Sequence, residues 1–462
     1  MPRGSSARKR SKAVEPRVIA ADAIDPVDLN QDALRVISRL ERAGHEGYLV
    51  GGCVRDLMIG RQPKDWDVAA SAHPRQIKRL FRNGRIIGRR FRLVHIVYGN
   101  RIIETSTFRA DPDAVKSSST EDLLIVEDNE YGTAEEDARR RDFTVNALFL
   151  DATRHEIIDY VGGLEDLDER ILRTIGDPMV RLAEDPVRIL RAIKFATRLA
   201  FRIEDATWEA MRELSPELER SASPRVLEEI LRLLRSGSAL GAFRMLRACG
   251  ALRVVLPMID EHLGPRENAS TEHQETAERF WRLLEALDAS VHSGAFGRTG
   301  PGTALCLAVL FHGLVEEEER RLEGEDLSPG EREDLVWELM DSFVVPARLS
   351  RRECGRACRI LAQQRRFSQT PNKRFRPLLF MRGDEFLESL EFFGLRTAAW
   401  GQGWDLYEGW KARYQRSLEA TPEEVEAERR KGRRKRKRRR TKRKGRNEQS
   451  EDTGDSPAAE DW

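Results

Sequence analysis

Strand-forming segments are confined to one stretch of this chain, and this constrains its fold more than any other feature. Between Tyr48 and about Gly162, the β-branched runs YLV, DWDVA, RLVHIVYG and RIIETSTF alternate with amphipathic segments. A turn at Gly99-Asn100 joins the last two runs. After Gly163 only helical periodicity remains. The pattern therefore predicts an α+β head, built from a mixed sheet with helices, followed by an all-α neck and body.

Charge is segregated along the chain rather than present in excess. The 80 Lys and Arg residues nearly balance 78 Asp and Glu residues, but Arg429 to Arg446 is almost wholly cationic. So dense a basic block repels itself and binds polyanions. A polar segment, Asp111 to Glu130, is predicted to be a mobile loop. The predicted divisions are a flexible basic leader (1–27), the head (28–162), the neck (163–262), the body (263–420) and a disordered arginine- and lysine-rich tail with an acidic end (421–462).

Two classes of protein are disfavoured by composition. No run of about 18 apolar residues occurs, and no apolar segment follows the basic start, so we expect neither a membrane helix nor a signal peptide. The five cysteines lack the spacing of a metal site and are predicted to be reduced, mostly buried thiols. These features favour a cytoplasmic protein with no membrane partner.

The segment LVGGCVRDLMIGRQPKDWDVAAS carries the clearest chemical signal. Asp65 and Asp67 lie one residue apart on a predicted strand, so their carboxylates are expected to share a face. Such a pair suits Mg²⁺ or Mn²⁺ in a two-metal phosphoryl transfer. Upstream, Gly52 in the Gly-Gly turn permits close approach of a phosphate, and Arg55 is placed to clamp a triphosphate. Alone, the Asp pair is a weak signal that more often marks a solvated strand end; the combination with the Gly-Gly turn and Arg55 favours a metal and phosphate site.

This segment resembles the first motif of the class II nucleotidyltransferases, in the DNA polymerase beta superfamily. EEDARRRDFTVNALFLD, DYVGGLEDL and RLAEDPVRILRAIKFATRL resemble later motifs, in the family's order, so the resemblance covers about residues 34–260. It implies a polymerase-beta-like head. It also marks Asp142 as catalytic, although this residue could instead hold the ribose. We expect Asp142 to act with Asp65 and Asp67, with Glu104 on RIIETSTF as the rival third carboxylate.

Other residues are candidates for nucleotide binding. Arg141 fits a phosphate or ribose contact, or a solvated arginine at the start of a helix. Asp185 and Arg188 are one helical turn apart, so a carboxylate and a guanidinium could read one base edge. The same spacing fits an intrahelical ion pair. Their resemblance to the family's Glu-Asp-x-x-Arg motif favours base reading and adds Arg191 to the candidate site.

The family has two branches, bacterial poly(A) polymerases and CCA-adding tRNA nucleotidyltransferases. The segment IIGRRFRLVHIVYG and the basic tail resemble the poly(A) polymerase branch. The resemblance implies template-independent addition of AMP from ATP to RNA 3′ ends, with Mg²⁺ or Mn²⁺ as cofactor. Expected partners are ATP, RNA 3′ ends bound with little sequence preference, and proteins of RNA decay; we expect a monomer. The alternatives are a CCA-adding enzyme and an inactive RNA-binding protein on the same fold.

Overall fold

The computed structural model describes residues 15–88, 92–110, 131–322, 327–368, 377–419 and 421. The chain forms two compact units, Met1–Asp260 and Glu261–Trp462. The predicted loop from Asp111 to Glu130 and the basic block from Arg429 to Arg446 lie outside the described residues. So do residues 1–14 of the predicted leader and residues 89–91 of the segment that resembles poly(A) polymerases.

An eight-stranded sheet forms the centre of the first unit. Its strands are β1 (Arg17–Ala20), β2 (Gly47–Val50), β3 (Asp67–Ala70), β4 (Gly84–Ile87), β5 (Leu93–Tyr98), β6 (Arg101–Thr107), β7 (Leu148–Asp151) and β8 (Glu156–Asp159). The strand order is β1-β8-β7-β2-β3-β6-β5-β4. β3 and β6 are parallel, and the other neighbours are antiparallel. The mixed sheet confirms the predicted fold class of the head. Two short strands, β9 (Ile171–Leu172) and β10 (Arg202–Ile203), pair separately.

The helices of the first unit follow the predicted periodicity. α1 illustrates the cause: Asn30 caps it by accepting from the backbone N–H groups of Asp32 and Ala33, and Gly44 after its end has φ +80°. The helices are α1 (Gln31–Arg42), α2 (Gly52–Met58), α3 (Pro74–Leu80), α4 (Ala134–Arg139), α5 (Gly163–Asp168), α6 (Pro178–Glu184), α7 (Val187–Leu199), α8 (Asp205–Leu214), α9 (Ser223–Leu234), α10 (Ala239–Ala248), α11 (Ala251–Val255) and α12 (Pro257–His262).

The two faces of strands β4, β5 and β6 differ sharply in exposure. Side chains of one face, among them Val94 and Ile103, are buried, and α3 packs on β4 and β5 there; Ile86, on the edge strand, is 43% exposed. The alternate side chains are exposed or half-buried, and Ile87 and Ile102 remain 42% and 49% exposed. Because successive residues of a strand point to opposite faces, helix packing on one face leaves the other accessible. This accessible side is called the open face below.

The second unit is helical, as predicted for the body. Its helices are α13 (Thr271–His292), α14 (Thr303–Arg321), α15 (Pro329–Val344), α16 (Arg351–Ala362), α17 (Gln364–Ser368), α18 (Pro377–Met381), α19 (Phe386–Trp400) and α20 (Trp404–Leu418). α19 and α20 are separated at Gly401 and Gly403, which adopt φ values of +68° and +90°. Phe367, Phe386 and Trp410 form part of a buried aromatic cluster. No helix in the described part of the chain is both long and apolar enough to cross a bilayer.

Three sequence expectations are corrected. The leader is not flexible throughout, because Val18 of β1 pairs with Ile158 of β8. The strand predicted for DWDVA begins only at Asp67; β2, its antiparallel partner, ends at Val50, and α2 begins at Gly52. Strands also occur after Gly163, since β9 and β10 pair two residues each. All five cysteines are buried and free, as predicted for the thiols.

A glycine at the start of α5 allows a close contact that tests this packing. A Cβ atom at Gly163 would clash with the carbonyl oxygen of Thr144. We therefore expect Gly163→Ala to destabilise the first unit by about 1–3 kcal/mol. In α20, a Cβ atom at Gly409 would meet no atom within 4 Å, so Gly409→Ala should stabilise the second unit by about 0.5–1 kcal/mol. Urea unfolding followed by circular dichroism measures the free energy of unfolding of both variants. Equal changes in the two variants would contradict the close contact at Gly163.

Candidate active site

A row of polar side chains crosses the open face, with one residue from each of four strands. Asp67 of β3 is the register partner of Glu104 in β6. Glu104 is opposite His95 of β5, and His95 is opposite Arg85 of β4. Register partners share a face and lie about 4.8 Å apart from strand to strand. His95 Nε2 lies 3.4 Å from Glu104 Oε1. We call these four residues the polar row.

The carboxylate end of the polar row is electrostatically suited to a cation. Burial and the charge of Glu104 raise the pKa of Asp67 to about 6; Arg141 opposes this and Asp65 adds to it. Asp65 therefore acts on Asp67 although it precedes β3. Carboxylate oxygens are the donors that Mg²⁺ prefers. Within the described ranges, no group of three His, Cys, Asp or Glu side chains converges on one metal position. Asp67 with the neighbouring carboxylate of Asp65 or Glu104 fits a cation whose other positions are completed by phosphate oxygens.

A partly exposed arginine lies beside the Gly-Gly turn. A Cβ atom at Gly51, where φ is +75°, would come 2.9 Å from Arg141 Nη1. At Gly52 the same test gives only an ordinary contact, so close approach requires glycine at the first position of the pair. Arg141 donates to Asp137 and to the carbonyl oxygen of Asn146, and 22% of its side chain remains exposed. Its guanidinium is therefore held near both the turn and Asp67.

Arg55 does not form the phosphate clamp expected from the sequence. Its side chain is only 2% exposed. Its Nε and Nη2 atoms donate to Asp56 Oδ1 over 2.9 and 2.5 Å, and Nη1 donates to Asn146 Oδ1. Burial lowers the pKa of Arg55, while Asp56 opposes the shift. The guanidinium is committed to the interior because α2 packs this side chain inward.

Asp142 is also an interior group rather than a metal ligand. Its Oδ2 accepts from Arg191 Nε at 2.8 Å and Nη2 at 2.6 Å. Its Oδ1 accepts from the Phe143 N–H and from Asn146 Nδ2. Burial favours a higher pKa for Asp142, but the charge and hydrogen bonds of Arg191 outweigh it and lower the pKa to about 2. With both oxygens bound, the expectation that Asp142 acts as the third metal carboxylate is corrected; Glu104 lies beside Asp67 instead. Arg191 is likewise committed to Asp142.

The proposed base-reading pair is arranged differently from the sequence expectation. Asp185 precedes α7, which begins two residues later, so it shares no regular helical turn with Arg188. Asp185 accepts two hydrogen bonds from Arg225, at 3.0 and 2.8 Å. Arg188 Nη1 donates to the carbonyl oxygen of Arg181 at 2.6 Å and lies 3.3 Å from Glu184. The alternative prediction of an intrahelical ion pair between Asp185 and Arg188 is therefore wrong. Each side chain is held by a different partner.

Several residues of this region were not found from the sequence. Arg198 Nη2 donates to Asp56 Oδ2 at 3.1 Å, and Asn146 joins Arg55 to Asp142. A polar residue between apolar neighbours, such as Asn146 in TVNALFL, is the signal that could have identified them. Together these contacts form what we call the buried polar chain, whose members are Arg198, Asp56, Arg55, Asn146, Asp142 and Arg191.

Positive charge concentrates around Arg140, and Arg141 of this group also acts on Asp67. Burial and neighbouring like charges lower the pKa of Arg140; the charges are those of Arg109, Arg141, Arg181 and Arg188. Arg181 also donates to the backbone carbonyl oxygens of Arg140 and Arg141, at 2.6 and 3.0 Å. Guanidinium groups gathered this closely are stabilised by an anion. The arrangement suits a polyphosphate next to a metal-binding carboxylate pair.

Comparison with known proteins places this geometry in a family. The Poly A polymerase head domain matches residues 47–173, and the Probable RNA and SrmB- binding site of polymerase A matches residues 200–263. Poly(A) polymerase I of Escherichia coli is 36% identical over 338 residues, which cover 71% of this chain and 71% of that protein. This chain belongs to the tRNA nucleotidyltransferase and poly(A) polymerase family. The family resemblance read from the sequence is confirmed.

Other members of the family match over different extents. Poly(A) polymerase I of Haemophilus influenzae is 40% identical over 271 residues, 57% of this chain, but the chain spans only 60% of that protein. The crystal structure of Bacillus stearothermophilus CCA-adding enzyme in complex with CTP aligns with a TM-score of 0.59 and 25% identity. That alignment covers 84% of this chain and 82% of the CCA-adding enzyme. The family is thus clear, and both of its branches are among the similar proteins.

Removing the charge of Asp142 tests its ion pair with Arg191. Asp142→Asn should destabilise the first unit by about 1–3 kcal/mol at pH 7, because it leaves the charge of Arg191, whose side chain is 33% exposed, without its partner. The pKa of Asp142 is lowered in the folded state, so its contribution is complete above the unfolded value of about 3.9 and is lost as pH falls towards about 2. Urea midpoints from pH 8 to pH 3 measure the difference.

A surface pair provides the control for this variant. Arg202 Nη1 lies 2.8 Å from Asp205 Oδ1, but the Asp205 side chain is 93% exposed. Asp205→Asn should therefore leave stability almost unchanged. If the two variants had equal stability, the Asp142–Arg191 pair would not hold the unit together.

Proposed function

We propose that this chain is a template-independent polynucleotide adenylyltransferase that adds AMP from ATP to the 3′ ends of RNA. The observation that carries the proposal is the carboxylate end of the polar row, Asp67 and Glu104 with Asp65 nearby, next to the arginines around Arg140. The first group suits a divalent cation and the second suits a triphosphate. Similarity to proteins named Poly(A) polymerase I supports this branch of the family.

The reaction follows from these residues. The RNA 3′ oxygen attacks the α-phosphorus of ATP, a new P–O bond forms, the bond to the bridging α–β oxygen breaks, and pyrophosphate leaves as the hydroxyl loses its proton. A divalent cation, when bound, supplies positive charge to the attacking and leaving oxygens. Asp65 and Asp67 hold the cation, with Glu104 adjacent, and Arg141 orients the phosphates. Their contribution is positioning and charge stabilisation.

Asp185 and Arg188 are proposed to select the base. Arg225 holds the carboxylate of Asp185 and the Arg181 carbonyl oxygen holds the guanidinium of Arg188, so both are fixed before a nucleotide arrives. Fixed donors and acceptors discriminate between bases because a wrong base leaves them unpaired. The basic block from Arg429 to Arg446 is proposed to hold RNA through charge, without reading its sequence.

The second candidate is CCA addition, which the likeness to a CCA-adding enzyme bound to CTP favours. Incubating the full chain with Mg²⁺, a generic RNA oligonucleotide and each nucleoside triphosphate separately decides between them. Adenylyl transfer predicts long tails with ATP and little incorporation of CTP. A CCA-adding enzyme would incorporate CTP and stop after a few residues. An inactive RNA-binding protein would bind the RNA and extend it with neither.

We predict that the Asp67 carboxylate lowers the stability of the metal-free protein and is essential for activity. Asp67→Asn should reduce AMP incorporation by at least about 10²-fold, because the cation and the reacting groups lose their anchor. Without metal, the variant should be more stable at pH 7 by about 1–3 kcal/mol, since the raised pKa shows that the folded protein disfavours the charged form. This gain should vanish below about pH 4, where Asp67 is protonated in both states.

Incorporation of labelled ATP with Mg²⁺ measures the activity, and thermal unfolding in EDTA measures the stability. Asp205→Asn is the control for loss of one carboxylate. Near-normal turnover by Asp67→Asn would exclude its role in holding the cation.

Base selection is tested by removing its two proposed contacts. Asp185→Ala and Arg188→Ala should lower the ratio of kcat/KM for ATP to that for CTP, by about 1–3 kcal/mol for each contact to the base edge. Binding of the triphosphate itself should change less. Arg212→Ala, which removes a surface arginine paired with Glu209, is the matched control. Unchanged preference for ATP in both variants, with thermal unfolding like the parent, would exclude base selection by this pair.

A further inference from the structure

We propose that the open face binds the RNA strand, with the last phosphodiester groups before the 3′ end lying over His95 and Arg85. This inference rests on the proposed function, because it assumes that an RNA 3′ hydroxyl must reach Asp67. It assigns a binding surface and a ligand, the backbone of a single RNA strand, to residues outside the metal and nucleotide contacts described above.

The charge of the side chains in the polar row changes from negative to positive along its length. It begins with carboxylates at Asp67 and Glu104 and ends with a cation at Arg85, with His95 between them. Three strand spacings separate Asp67 from Arg85, a distance of about 14 Å. A strand whose 3′ end is at the carboxylates therefore brings its preceding phosphates over His95 and Arg85, where a hydrogen-bond donor and a positive charge are available.

Apolar side chains flank the polar row on the same face. Ile87 and Leu93 are register partners on one side, two residues from Arg85 and His95. Val97 and Ile102 are register partners on the other side. Ile87 and Ile102 are 42% and 49% exposed, which is unusual for large apolar side chains grouped on one sheet face. A polar track between two apolar borders suits a nucleic acid strand, whose ribose and base surfaces are apolar and whose backbone is charged.

The opposite face of these strands is largely covered. There, α3 packs on β4 and β5, and residues such as Val94, Ile96 and Ile103 are buried, although Ile86 on the edge strand β4 is 43% exposed. Arg101, on that covered side, lies 2.7 Å from Asp32 of α1. Of the two faces of these strands, the open face is therefore the one that is continuous with the carboxylates of Asp67 and Glu104. RNA is the occupant that the charge pattern and this continuity favour.

The test compares two single arginine losses in the full chain. Arg85→Ala removes a charge from the open face, and Arg79→Ala removes an exposed charge from α3, on the covered side. Binding of a fluorescent oligoadenylate is measured by anisotropy over a range of salt concentrations, without nucleotide. We expect Arg85→Ala to weaken binding about threefold or more and to reduce the slope of log K against log salt by about 0.7. Arg79→Ala should leave both values unchanged, and Arg85→Lys should restore the slope.

Kinetics of the same variants complete the test. Arg85→Ala and His95→Ala should raise KM for RNA while KM for ATP stays within about twofold of the parent, since only the strand loses contacts. Equal RNA affinities and salt slopes for Arg85→Ala and Arg79→Ala would overturn the proposal, and so would an effect of Arg85→Ala on KM for ATP alone. Because binding is measured without nucleotide, it does not depend on which nucleotide is added. A protein that failed to add AMP but showed the Arg85 effect would refute the proposed function and leave the RNA surface standing.

Discussion

The ion pair between Asp142 and Arg191 is the contact on which the rest of the site depends. Asp142 is buried, whereas 33% of the Arg191 side chain is exposed. The buried carboxylate is stable as an anion because Arg191 donates two hydrogen bonds to it, so Asp142 cannot lose this partner without a penalty. The pair joins the segment before β7 to α7. Through Asn146 and Arg55 the same buried polar chain reaches Asp56, which Arg198 connects back to α7. α7 is therefore attached at two points, and the residues at its start are fixed relative to the sheet.

Two aspartates in this unit have opposite shifts of pKa, and the shifts indicate opposite roles. Asp142 faces Arg191 and is held as an anion, so its pKa falls. Asp67 faces Glu104 and Asp65, and its pKa rises because burial and like charges disfavour ionisation. Among the residues that the structure describes, the first carboxylate forms an ion pair with a cation and the second forms none. A site whose carboxylates repel one another, beside arginines that also repel one another, is complementary to a metal-bound triphosphate.

Much of the fold was predictable because its signals are local. The Gly99-Asn100 turn, the cap at Asn30 and the helical periodicity after Gly163 all act over a few residues. β1 was missed because it is defined by a partner, β8, more than a hundred residues away. The motif pointed to Asp65 and Asp67, and Asp65 does raise the pKa of Asp67, but it could not show that Arg55 and Asp142 point inward. Nor could it show that Arg225, forty residues from Asp185, occupies that carboxylate. Side-chain direction and long-range partners depend on packing, which spacing along the chain does not encode.

The central claim is that Asp65 and Asp67 hold the cation while Asp142 belongs to the framework. The most direct measurement is a crystal structure with Mn²⁺ and a non-hydrolysable ATP analogue, in which anomalous scattering locates the metal. This account predicts Mn²⁺ about 2.0–2.2 Å from carboxylate oxygens of Asp65 and Asp67, with both Arg191 hydrogen bonds to Asp142 unchanged. Mn²⁺ bound to Asp142, with Arg191 displaced from it, would contradict the account.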